Sequence, residues 1–181
     1  MLPVVTIFEA SMNIVIIANI ISLLGCALMV FVGLLKEKRQ ILSVQCVQFV
    51  LQGAANLMLG GKSGFIANVV SILRNLAFFR FKNTVWLKLF FIALQLLLSL
   101  GSLGGGIISW FPLFSAVLFT WFLDLKSEVK LKIVIIITQI LWLAYDFAYS
   151  NYVAVVFDCF TMLSNIIGIV MILRDRKNMQ K

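Results

Sequence analysis

Asn68-Val-Val-Ser71-Ile-Leu-Arg74-Asn75 and Asp158-Cys-Phe-Thr161-Met-Leu-Ser-Asn165 stand ninety positions apart in the chain. Asn68 falls on Asp158, Ser71 on Thr161 and Asn75 on Asn165. The same offset pairs Asn56 with Asp146 and brings the basic-loop Lys36 onto Lys126. The surrounding sequence is almost entirely apolar, a setting in which polar side chains are expensive and therefore informative. Apolar residues align somewhat wherever two such stretches are overlaid, so the polar pairs carry the repeat. An internal repeat of this kind in a membrane chain is a mark of many secondary transporters.

Composition sets the solvent. The chain is 62% hydrophobic and 12% charged, with a mean hydropathy of +1.09. A water-soluble domain could not bury that much apolar surface, so lipid is the expected surroundings. A spanning helix takes roughly 20 residues, and seven read naturally along the sequence. They lie near 14–35, 40–60, 63–80, 85–101, 104–124, 131–149 and 151–173. The loops left over are short, which makes residues 1–181 a single membrane domain.

Charge then orients the spans. All of the 15 basic residues except Lys62 and Arg74 fall at the ends of spans on one side. Lysine and arginine concentrate on the cytoplasmic side of a membrane protein, so the N-terminus is expected outside and the C-terminus in the cytoplasm. That placement, more than the net charge of +8, argues against nucleic acid as a partner. Histidine is absent, which removes the commonest general base and transition-metal ligand. Cys26, Cys46 and Cys159 all fall within apolar runs and form no disulfide framework. Leu23-Leu24-Gly25-Cys26 resembles a lipoprotein cleavage site, but no lysine or arginine precedes Lys36, and a signal peptide begins with a basic segment. Gly61-Lys62-Ser63 lacks the earlier glycine of a phosphate loop.

The predicted fold is all-α and integral to the membrane. Three spans in repeat 1 (about 12–82) and three in repeat 2 (about 102–173) flank a linker helix at about 85–101. One intervening crossing makes the two triplets parallel, related by an axis along the membrane normal.

The polar residues mark candidate sites. Asn68, Ser71 and Asn75 share one helical face, and Asp158, Thr161 and Asn165 repeat it. One such stripe reads as interhelical hydrogen bonding; two equivalent stripes point to a solute site between the triplets. Gln45, Gln48, Gln52 and Asn56 form a row on the second span, answered on the sixth by Thr138, Trp142 and Asp146. Trp142 with Tyr145 offers aromatic faces for stacking, or an interfacial anchor. Arg74 is expected to cap carbonyls, pair with Asp158 or reach toward the cytoplasmic surface. Pro112, the one proline inside a span, is expected to kink its helix and serve as a hinge.

At Asn68-Val-Val-Ser-Ile-Leu-Arg74-Asn75, and at Trp142-x-x-Tyr145-Asp146, the chain resembles the YgjV-type bacterial inner-membrane proteins. Through them it resembles the MtN3/PQ-loop group, which includes SWEET sugar facilitators and PnuC-type vitamin transporters. The resemblance covers residues 12 to 173 and implies a SWEET-like 3+1+3 helix fold with a central site. The asparagines of the third and seventh helices that line that site would correspond to Asn68 or Asn75 and to Asn165. The proline-glutamine pair of the PQ-loop group is absent, and the SWEET hinge prolines reduce to Pro112.

The function expected is a transporter or facilitator for a small polar solute, sugar-like or nucleoside- or vitamin-like. It would work by alternating access between two three-helix bundles in the inner membrane. The alternative is a non-transporting membrane receptor or partner subunit. An enzyme is not expected, since no serine has a convincing base beside it and Asp146 and Asp158 lie on different helices. No cofactor or metal is implied. The expected partners are the lipid bilayer, the solute and, at most, a second copy in a homodimer.

Overall fold

A backbone withdrawn from water must satisfy its own N–H and C=O groups, and a helix does so within one segment. The computed structural model, which describes residues 4–32, 38–81, 84–101, 106–122, 125 and 127–178, follows that rule. Its helices are α1 (Val4–Val32), α2 (Lys38–Met58), α3 (Lys62–Arg80), α4 (Val85–Leu100), α5 (Phe111–Phe122), α6 (Glu128–Ala148) and α7 (Tyr152–Asn178). Among the described residues there is no strand. Lys36 and Lys126, and most of the loop at 101–106, lie outside the described residues.

The helices close on themselves. α1 packs against α2 and α7, α2 against α3, α3 against α5, α5 against α6, and α6 against α7. The ring order is therefore α1–α2–α3–α5–α6–α7, with α4 seated on α3 and α5. Phe78 and Phe91 meet edge to face at 5.9 Å in that seat, within an apolar cluster completed by Val70, Ile66 and Leu94.

What lies inside and outside this assembly is the reverse of a water-soluble protein. Asn56, Asn75, Gln95, Asn151, Ser22 and Ser109 are among the most deeply buried side chains, whereas Ile16, Leu24, Val50, Leu76, Leu97 and Val170 are exposed. An apolar solvent enforces this inversion, because polar groups find partners only inside. Only α7, among the described helices, is long and apolar enough by itself to cross a membrane; Met12–Leu28, Val85–Leu100 and Ile107–Phe122 are apolar but shorter. α2 and α3 carry their glutamines and asparagines inward, which lowers their average hydropathy while their outer faces stay apolar.

The fifth span departs from expectation. A 3-10 turn at Ile107–Trp110 leads into α5, so Pro112 sits in the first turn of the α-helix and not mid-span. An N–H is dispensable there and the fixed φ of proline suits helix initiation, so Pro112 marks the junction of the 3-10 turn with the α-helix and not a kink within α5.

The turns after α2 and after α6 share most of their backbone bonds at the ninety-residue offset. Leu59 N–H donates to Ala55 O at 3.0 Å and Tyr149 N–H to Tyr145 O at 3.1 Å. Gly61 N–H donates to Asn56 O at 2.7 Å and Asn151 N–H to Asp146 O at 2.9 Å. Phe65 N–H reaches Gly61 O at 3.0 Å, and Val155 N–H reaches Asn151 O at 3.2 Å. Gly60 turns the first chain at φ +79° and Ser150 the second at φ +59°.

Left-handed backbone costs a non-glycine residue about 1–2 kcal/mol. Ser150→Gly should therefore raise the thermal unfolding midpoint of the detergent-solubilised protein, with a gain of up to about 1 kcal/mol. An unchanged or lowered midpoint would show that the serine is favoured at this turn for another reason.

Candidate functional site

The inward row on α2 organises the interior. Residues four apart share a helical face, so Gln48, Gln52 and Asn56 turn inward together and all three are buried. Gln52 is fixed at both ends of its amide. Ser22 Oγ of α1 donates to Gln52 Oε1 at 2.9 Å, and Gln52 Nε2 donates to Cys26 Sγ at 3.0 Å. Gly25 admits this approach: a side chain there would start 3.3 Å from Leu51 and 3.4 Å from Gln52.

At the end of the ring where the two matched turns lie, Tyr145 is fully buried. Its hydroxyl accepts from Gly64 N–H at 2.8 Å and from Ser63 Oγ at 3.3 Å, tying α6 to the first turn of α3. The fit depends on glycine. A Cβ on Gly61 would overlap the tyrosine hydroxyl, and one on Gly64 would lie 2.6 Å from the ring and 2.9 Å from Asn56 Nδ2. Asn19 of α1 makes a second tie at this end, donating to Ser150 O at 3.1 Å and accepting from Val153 N–H at 3.1 Å. Trp142 stands edge-on to Tyr145 at 5.7 Å.

The opposite end is held by cations. Arg74, buried on α3, donates to Asn75 Oδ1 and, at 3.2 Å, to Thr120 Oγ1 of α5, with its guanidinium 5.1 Å from the Phe119 ring centre. Lys88 of α4 donates to Trp121 O at 3.0 Å. Both charges thus meet the last turn of α5, where carbonyls lack helical partners and the helix dipole is negative. Asn75 completes the cluster by donating to Gln45 Oε1 at 3.2 Å.

The two carboxylates occupy the α6–α7 side. Asp146 Oδ1 accepts from Asn151 Nδ2 at 3.2 Å, and Asp158 Oδ1 accepts from Gln139 Nε2 at 2.9 Å. Asp158 Oδ2 is buried without a partner.

Most of the candidates from the sequence find partners here. Arg74 does not pair with Asp158; a threonine hydroxyl, an asparagine and a helix end take that role. Asn75 and Asn165 share no hydrogen bond, since Asn75 is engaged with Gln45 and Arg74 while Asn165 Nδ2 donates to Thr161 O at 2.8 Å within α7. Asn68 likewise bonds its own helix, at Gly64 O, and Thr161 bonds Phe157 O. Ser71 is buried beside them on α3. Tyr145 is no interfacial anchor, and Asp146 is buried with it. A cavity of about 560 Å³ lies elsewhere, lined by Phe81, Trp86, Leu87 and Phe90. Its lining is apolar apart from Thr84, and none of the stripe residues belongs to it.

Asn19, Ser22, Thr120, Gln139 and Asn151 were not singled out by the sequence. Each is a polar residue in or beside an apolar helix, but its counterpart at the offset is not a matched amide or carboxylate. A search for any inward polar residue, repeated or not, would have found them.

Residues 16–176 match the model of the Imp-YgjV family, described as a bacterial inner membrane protein. No curated protein and no solved structure matches the chain.

The partners separate the two asparagines. Asn75→Leu removes the acceptor of Arg74 and the donor to Gln45, and buried groups stranded in this way cost about 1–3 kcal/mol each. Asn165→Leu removes one bond within α7. Thermal unfolding in detergent should show a large loss for the first and a small one for the second. Equal losses would show that Asn165 has a structural partner of similar weight.

Proposed function

This chain belongs to the Imp-YgjV family of bacterial inner membrane proteins, and on that footing we propose that it is a facilitator that passes a small polar solute across the inner membrane. Seven spanning helices form two parallel bundles, α1–α3 and α5–α7, joined by α4 in a 3+1+3, SWEET-like arrangement. The N-terminus is outside and the C-terminus is in the cytoplasm, as the basic residues require.

The matched turns after α2 and α6 are the observation that carries this reading. The ring order supports it as well. A half-turn about the ring centre exchanges α1 with α5, α2 with α6 and α3 with α7, and it carries the α3–α5 contact onto the α7–α1 contact. A repeat of this kind places a solute site between its halves.

The bonds that join the halves sit at the two ends. Tyr145 and Asn19 close the turn end, while Arg74 closes the basic end, where Lys88 of the linker α4 also binds α5. Alternating access then means releasing one set while the other holds. Between them, Asn68, Ser71, Thr161, Asn165 and Asp158 offer hydrogen-bonding groups, with Trp142 beside them for stacking. The chemistry is binding and release, not catalysis. The rival, a receptor or partner subunit, shares the fold but moves nothing.

Liposomes containing the purified protein should take up at least one of xylitol, uridine or ethanolamine faster than empty liposomes. Asn165→Leu should reduce uptake to the empty-liposome level while the protein remains monodisperse. No uptake of any of the three, together with a co-purifying protein partner in mild detergent, would favour the receptor reading.

A further inference from the structure

The interior holds more acceptors than donors on one side. Asp146 and Asp158 are both buried, and the described buried cations lie elsewhere: Arg74 and Lys88 are engaged at the last turn of α5. Lys132 of α6 runs along Gly168, about 15 Å of helix from Asp158. Four oxygens on this side are buried without partners: Asp158 Oδ2, Asn151 Oδ1, Asn56 Oδ1 and Gln48 Oε1. Buried polar atoms in proteins are almost always satisfied, so a group of orphans needs an explanation.

These groups form one neighbourhood. Asn151 is bonded to Asp146, Asp158 lies two turns further along the same face of α7, and Asn56 and Tyr145, the residue before Asp146, both lie against Gly64. Cys26 is bonded to Gln52, which stands one turn from Gln48 and one turn from Asn56 along α2. The orientation of the key amide is also fixed. Asp146 only accepts when ionised, so Asn151 must present its nitrogen to it and turn its oxygen the other way.

We infer that the α1–α2–α6–α7 side of the interior is a binding site for an organic ammonium group, held by Asp158 with Asp146, Asn151 and Asn56 around it. This builds on the reading of the interior as a solute site and assigns the solute its charge. A protonated amine supplies up to three N–H donors and the missing positive charge, where a carboxylate or phosphate would meet only acceptors. A neutral polyol supplies donors but no charge to hold a buried carboxylate ionised.

Calorimetric titration of the purified protein in detergent tests this with three probes: ethanolamine, its uncharged analogue ethylene glycol, and sodium chloride. Ethanolamine should bind saturably and ethylene glycol should not. Asp158→Asn should weaken ethanolamine binding roughly tenfold or more, as expected when one partner of a buried charge pair is removed. Absence of saturable ethanolamine binding to the wild-type protein would overturn the inference, and so would equal binding of ethylene glycol. Saturable binding of sodium that excludes ethanolamine would make the occupant an inorganic ion and also overturn it. The wild-type comparison decides the matter even if Asp158→Asn does not fold. Uptake of xylitol or uridine by a protein that ignores ethanolamine would leave the facilitator reading standing and remove only the charge. Ethanolamine binding without uptake of any solute would keep the site and remove the facilitator.

Discussion

Polar groups surrounded by an apolar solvent must find their partners within the protein, and nearly every contact described above follows from that constraint. α2 and α3 are poor in hydropathy for this reason: their amides turn inward, where Gln52 meets Ser22 and Cys26, and Asn75 meets Gln45 and Arg74. Apolar packing plays the lesser part inside, being concentrated where α4 leans its aromatic and leucine residues on α3. Direction comes from hydrogen bonds, which are specific in a way that contact between leucines is not.

The halves are alike in backbone and unlike in what fills them. At the turns, most of the same bonds close the same loops. Yet Tyr145 corresponds to Ala55, Gly61 to Asn151 and Gly64 to Ala154. Where one half presents two glycines, a tyrosine from the other half enters and bonds the helix end. The corresponding place in the second half has an alanine, and Asn151 keeps an unpartnered oxygen there. Similar frames with different contents give an interior that a tyrosine fills in one half and that keeps an unpartnered amide oxygen in the other.

The helices and the polar positions were legible in the sequence, because an apolar run and a constant offset are local patterns. Partner choice was not. Asn19 bonds Ser150 across 131 residues, and Arg74 bonds Thr120 rather than Asp158. Such pairings depend on the ring order, which places α1 beside α7 and α3 beside α5. Pro112 is a simpler case. An apolar run does not show where a 3-10 turn gives way to an α-helix, so a proline in the first turn looks like one in the middle.

The double cap on α5 bears on how the chain is assembled. α5 is the shortest of the α-helices, and its last turn is bonded by Arg74 of α3 and Lys88 of α4. Both of those helices leave the ribosome before it. When α5 emerges, the groups that satisfy its end are already in place, so synthesis from N- to C-terminus delivers the acceptor to waiting donors. A circularly permuted chain that began at α5 would reverse that sequence, leaving the end of the shortest helix to wait, uncapped, for its guanidinium and its ammonium.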